Sequence, residues 1–153
     1  MSSKLSAGIL MFRRMNGLEV LLVHPGGPFY AKKDDGVWSI PKGEYEDGED
    51  PLTVAKREFE EETCFSVDGK FIPLSPLKLP SGKVVSAWAL EGDCDASEIS
   101  SNTFRMEWPP RSGWFPEFPE VDRAEWFDIE TARSKITKGQ AGFLDQLEEA
   151  LRD

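Results

Sequence analysis

The chain has 153 residues, enough for one domain whose core needs no disulfide or metal to hold it together. Its 28 acidic residues outweigh 18 Lys and Arg, and the formal charge of -10 excludes the broad basic face that long nucleic acid requires. Hydrophobic residues at 39% suit an ordinary globular protein, and no apolar run approaches the roughly 20 residues that span a bilayer.

The order Met1-Ser2-Ser3-Lys4, followed by a strand-like run containing Arg13 and Arg14, is not that of a secretory leader. Leu5 to Phe12 and Leu18 to Val23 are apolar and β-rich, and Asn16-Gly17 between them predicts a tight hairpin. His24-Pro25-Gly26-Gly27-Pro28 opens a stiff loop. His24, the only histidine, stands at a strand end and is expected to be structural. Val37 to Ile40 reads as a short strand stopped by Pro41. Asp50 and Pro51 form a helix start, Asp as cap and Pro at the first helical position, for a helix reaching about Thr63.

Phe71 to Leu79 and Lys83 to Leu90 predict a second hairpin turning at Pro80-Ser81-Gly82. Thr103 to Trp108 and Arg123 to Phe127 are further strand candidates, separated by a Pro- and aromatic-rich loop from Trp108 to Pro119. Phe143, Leu144, Leu147 and Leu151 recur at helical spacing, so an amphipathic helix is expected to pack on the sheet. Strands mixed with two helices predict an α/β fold, a sheet sandwiched between helices, as one domain over residues 1–153. The two cysteines, Cys64 and Cys94, lack metal-ligand spacing and are expected as reduced thiols of a cytoplasmic protein. Nothing in the sequence speaks to oligomeric state.

The chemistry concentrates in Arg57-Glu58-Phe59-Glu60-Glu61-Glu62. Each helical residue turns about 100°, so Glu58, Glu61 and Glu62 share one face while Glu60 points away. Leu52, Ala55 and Phe59 form an apolar stripe beside that face, which sets the acids at the margin of the core. Two like charges ~6 Å apart at an effective dielectric of ~20 repel by roughly 3 kcal/mol. Three carboxylates therefore need protons, basic partners or a cation. Arg57 alone does not balance them, whereas magnesium combines carboxylates with substrate phosphates.

Gly43, Glu49, Arg57, Glu58, Phe59, Glu61, Glu62 and Phe65 fall at the spacing of the Nudix box, a pattern extending over 23 residues. The chain thus resembles the Nudix hydrolases, most closely in motif the dinucleoside polyphosphate (diadenosine tetraphosphate) hydrolases. The resemblance implies an α/β/α sandwich with a mixed sheet and a catalytic loop–helix–loop. It also implies Mg2+, with Mn2+ as a substitute, held by Glu58, Glu61, Glu62 and the Gly43 carbonyl. Arg57 would orient the glutamates and Glu49 would brace the loop. Cys64 stands where the family usually has Gly, so the left-handed cap expected there carries a cost of about 1 kcal/mol.

In this family a base or further ligand often lies outside the box, shortly before a later Trp. Glu120, six residues ahead of Trp126, fits that spacing, with Glu117 and Glu125 as competitors. The implied catalytic set is therefore Glu61, Glu58, Arg57 and Glu120. Lys42 gives the Pro-Lys-Gly form found in dinucleoside polyphosphate hydrolases and in RNA 5′-end pyrophosphohydrolases. Lys32 and Lys33 are candidates for terminal phosphates. Trp108, Arg111, Trp114, Phe115 and Phe118 could stack on a base or form a packed lid. The expected activity is hydrolysis of a phosphoanhydride bond in a nucleoside diphosphate linked to another group, a dinucleoside polyphosphate or a nucleoside triphosphate. The expected partner is a small nucleotide, not long nucleic acid or membrane. The alternatives are a non-catalytic nucleotide sensor of the same fold and an RNA 5′-end pyrophosphohydrolase.

Overall fold

A computed structural model describes residues 4–152; the leader reading of Met1 to Ser3 lies outside them. The central strand is β1 (Leu5–Arg14), joined to β2 (Leu18–Pro25) through Asn16 and Gly17, both at positive φ as the tight turn requires. β1 pairs parallel with β6 (Val84–Glu91) along eight positions and antiparallel with β2 at its C-terminal end. Its N-terminal half pairs instead with β3 (Lys42–Tyr45), so β2 and β3 share one edge of β1. Residues Ser39 to Pro41 occupy the resulting fork: Val23 and Ser39 bridge on one side, and the Ile9 amide donates to the Pro41 carbonyl on the other. β9 (Val121–Asp128) extends the sheet beyond β2, giving a mixed sheet.

Helices cover both faces. α1 (Pro51–Thr63) lies on one, where Val54, Ala55 and Phe59 pack with Ala7, Ile9, Met11, Leu21 and Val23. α2 (Ile129–Lys135) and α3 (Ala141–Ala150) lie on the other, where Ala132, Phe143, Leu144 and Leu147 meet Leu10, Phe12, Val20 and Leu22. The alternation along β1 and β2 is the period-two signature of a sheet buried on both sides. The expected α/β/α sandwich is therefore the observed architecture.

Four expectations are corrected. The strand expected over Val37–Ile40 is a pair of isolated bridges at Trp38 and Ser39, and the true strand starts after Pro41, at Lys42. Pro41 has no amide to give a ladder, and its carbonyl is used by Ile9. The arm expected over Phe71–Leu79 is broken into β4 (Ile72–Pro73) and β5 (Leu77–Lys78), both paired with β6, with Pro76 in the gap. Thr103–Trp108 shortens to β7 (Thr103–Arg105), which pairs with β8 (Glu117–Pro119) inside the supposed loop. The helix α2 adds a third to the two that the sequence predicts.

Candidate active site

α1 begins as its sequence dictates. Asp50 accepts from the Thr53 amide at 3.1 Å, and Pro51 takes the first turn, where no amide partner exists. Phe59 is fully buried, and truncating it to Ala should cost about 3–5 kcal/mol. That anchor fixes the rotation of the helix. Glu62 is drawn to the core margin at 9% exposure, Glu58 and Glu61 are half-buried, and Glu60 faces solvent. Cys64 ends the helix in the left-handed region (φ 66°), its amide reaching the Glu60 carbonyl at 2.7 Å. The side chain there does not disturb the helix ending.

The preceding loop wraps onto the helix. Gly43 lies so close to the Glu58 carboxylate that a Cβ there would displace it. The Lys42 amide donates to Glu62 Oε2 at 3.1 Å. Glu49 accepts from the Glu46 amide at 3.0 Å and meets Arg57 Nη1 at 3.5 Å, while Arg57 Nη2 lies 3.9 Å from Glu58 Oε1. Arg57 thus stands between Glu49 and Glu58.

Glu120 joins this group from the far side of the sheet sequence. The Asn102 amide donates to the Glu61 carbonyl at 3.1 Å, and the Glu120 amide donates to the Asn102 carbonyl at 2.8 Å. Two backbone hydrogen bonds therefore connect Glu120 to the acidic turn of α1. The competitors lie elsewhere: Glu117 is in β8 opposite Arg105, and Glu125 is an exposed residue of β9.

The electrostatics follow from crowding. Burial, then the charge of Glu58, pushes Glu62 up to about 8, against the pull of the Lys42 amide and ammonium. Burial and Glu61 raise Glu58, with Arg57 opposing, and Glu120 is raised by desolvation and by Glu61. Burial and the neighbouring Lys83 lower Lys42, which feels the charges of Glu62, Glu44 and Glu58. Four carboxylates share a site with too little positive charge, and hard oxygen donors in that position suit a divalent cation. Among the described residues, no three Asp, Glu, His or Cys side chains already stand together at ligating spacing. Glu62 is turned to the Lys42 amide, so joint ligation needs side-chain rotation.

The remaining sequence candidates are not gathered there. Arg111 (φ 63°), Trp114 and Phe115 sit at the tip of the β7–β8 hairpin, where Glu107 accepts from the Arg111 and Gly113 amides, each at 3.1 Å. Trp114 is 63% exposed. Lys32 lies on the loop after β2 and, like Arg111, makes no ion pair among the described residues. The two segments touch through an edge-on contact of Phe29 with Trp108, ring centres 5.6 Å apart. His24 is fully buried, as a structural histidine would be. Sequence reasoning missed Asn102, whose role is carried by its backbone and leaves no compositional mark.

The model of the NUDIX domain family matches residues 3–147. The chain belongs to the Nudix family of hydrolases. No curated protein matches it in sequence. Among solved structures it is similar to an Ap4A hydrolase of C. elegans in a binary complex, with 21% identity, a TM-score of 0.65 and coverage of 95% of this chain and 97% of that one. It also resembles the NUDIX domain of Shewanella oneidensis NrtR complexed with ADP ribose, at 16% identity, TM-score 0.67 and coverage of 99% and 90%. A mutT/nudix family protein from Listeria innocua aligns at 17% identity and TM-score 0.66, covering 99% and 95%. Identities of this size establish the fold and nothing narrower. No helix among the described residues of this Nudix chain is long and apolar enough to cross a membrane.

Proposed function

We propose that this Nudix hydrolase cleaves a phosphoanhydride bond in a dinucleoside polyphosphate or, next in preference, a nucleoside triphosphate, using Mg2+ with Mn2+ as a substitute. The observation that carries the reading is that Glu58, Glu61 and Glu62 share one face of α1 and that two backbone hydrogen bonds through Asn102 bring Glu120 beside them, near enough for their charges to raise one another's pKa. Glu58, Glu61, Glu62 and the Gly43 carbonyl would hold the metal. When bound, a divalent ion would ease deprotonation of water and offset charge on the phosphates. Arg57 keeps Glu58 oriented from one side, with Glu49 on its other. Glu120 takes the proton of the attacking water; desolvation and the charge of Glu61 raise its pKa, the direction that strengthens a base. Glu61, tied to Glu120 through Asn102, fixes the distance between the base and the acids.

Lys42 contributes an ammonium to the phosphate chain, and Lys32 serves the terminal phosphate. Trp114 and Arg111 provide a surface against which a base stacks, supported by their exposure on the hairpin tip. The -10 charge supports a small nucleotide as partner over an RNA body. Two unpaired thiols support a reducing, cytoplasmic setting.

A Mg2+-dependent phosphate-release assay over diadenosine polyphosphates, nucleoside triphosphates and 5′-triphosphate RNA tests the proposal. Turnover of a dinucleoside polyphosphate, lost in Glu61→Gln, is the expected result. Nucleotide binding without turnover would make the chain a sensor, and preference for the RNA end would replace the substrate class.

A further inference from the structure

The only histidine is built into a specific device. β2 and β9 run in register down to His24 opposite Arg123, and then the ladder slips so that Pro25 faces Val121. Asp122 is the extra residue of this bulge. A bulge turns a side chain out of its ladder position, and here the Asp122 carboxylate meets His24 Nδ1 at 2.7 Å. The other ring nitrogen, Nε2, lies 2.7 Å from the Lys33 carbonyl. Both ring nitrogens are thus engaged, one by a carboxylate and one by a backbone carbonyl. The ring is fully buried, edge-on to Trp38 at 5.1 Å.

This pair flanks the crossing that holds Glu120. Two residues after His24, the Gly26 amide donates to the Glu120 carbonyl at 2.9 Å, and Glu120 lies two residues before Asp122. Gly26 is buried so tightly that a Cβ would overlap the Pro119 carbonyl. Glu120 is thus pinned by its amide to Asn102 and by its carbonyl to Gly26. The His24–Asp122 contact lies two residues from each partner of the second pin. His24 also fixes the loop carrying Lys33 through Nε2.

We propose that His24 and Asp122 are positioning residues for Glu120, setting where its carboxylate stands without touching substrate. The inference rests on the reading of Glu120 as the base. A misplacement of about 1 Å in such a group lowers rate by up to about 100-fold while leaving the binding of the rest of the substrate alone.

The test measures kcat and KM with Mg2+ and the best substrate of the panel for His24→Ala, His24→Asn, Asp122→Ala, Glu120→Gln and the double variant Asp122→Ala/Glu120→Gln. Amide hydrogen exchange at Gly26 and Glu120 is followed on the same proteins. Asp122 lies on the surface side of the pair, so its variant keeps the proposal testable where a buried His24→Ala fails to fold. Expected are kcat values about tenfold or more below wild type at unchanged KM for Asp122→Ala and His24→Ala, and partial recovery in His24→Asn. The Gly26 amide should exchange faster while β1 amides do not. The double variant should be no slower than Glu120→Gln alone. Additive losses, a rise in KM at constant kcat, or unchanged exchange at Gly26 would overturn the positioning role. A Glu120→Gln protein with wild-type kcat would instead overturn the reading of Glu120, and the proposal with it.

Discussion

The loop and helix from Gly43 to Phe65 and the hairpin from Thr103 to Pro119 are held in opposite ways. In the first, a buried Phe59, an Asp50 cap and the Lys42 amide on Glu62 fix acidic side chains whose mutual repulsion works against the fold. In the second, a three-residue ladder and the Glu107 cradle support a tip whose aromatics remain open to solvent. Strained charge has to be carried by rigid elements, because a flexible support would let the acids part. A surface for apolar contact has no such need. The proposed function divides the labour along the same line, with chemistry on α1 and recognition on the hairpin.

Substitutions that separate the two regions test that division. Glu61→Gln should lower kcat by about a thousandfold, the loss expected when several kcal/mol of charge stabilisation go, with KM little changed. A comparable rise in KM would place recognition on the helix too. Trp114→Ala should do the reverse, raising KM about tenfold at constant kcat, in keeping with about 1–3 kcal/mol for a stacked base. Steady-state kinetics on both proteins decides.

The metal-free fold should itself report the strain. Glu62 has an ordinary value of 4.5 and is held near 8 in the fold. Below pH 4.5 the folded and unfolded chains both carry the proton, so the group is neutral to stability. Between 4.5 and 8 the unfolded chain ionises while the folded one does not, and stability falls as pH rises. In EDTA, Glu62→Gln should therefore melt higher than the parent at pH 8 and close to it at pH 4.5. Added Mg2+ should raise the parent's Tm at pH 8 and the variant's less. Equal melting of the two proteins at pH 8 would contradict the burial of an uncompensated charge.

The smallest effect concerns the helix ending. Cys64→Gly removes a side chain from the left-handed region and should stabilise by about 1 kcal/mol, read as a few degrees in Tm, with kcat unchanged.

The sequence made α1 legible because its signals are local: Asp50 and Pro51 mark the start, and 3.6-residue periodicity sets which acids share a face. Phe59 and Ala55 were likewise visible as its buried stripe, though Val54 belongs to it as well. What escaped depends on pairing at a distance. β8 is recognisable only once Phe118 is known to face Phe104, and β3 is misplaced by a few residues because Pro41 sits in a fork between two strands. α2 is seven residues long with a single fully buried position, Ala132, too little periodicity to read. Glu120 was accessible through its spacing to Trp126, but its neighbours Asn102 and Gly26 act through backbone groups that any residue supplies. The bulge at Asp122 has no sequence signature at all.

The central claim is that the acids on α1 bind a divalent cation together. Titration of Mn2+ followed by electron paramagnetic resonance, with Mg2+ as competitor, tests it on the wild type and on Glu58→Gln, Glu61→Gln and Glu62→Gln. The account predicts saturable binding in the wild type, displaced by Mg2+ and weakened about tenfold or more in each variant. Binding of equal strength in all four proteins, or none in the wild type, would contradict it.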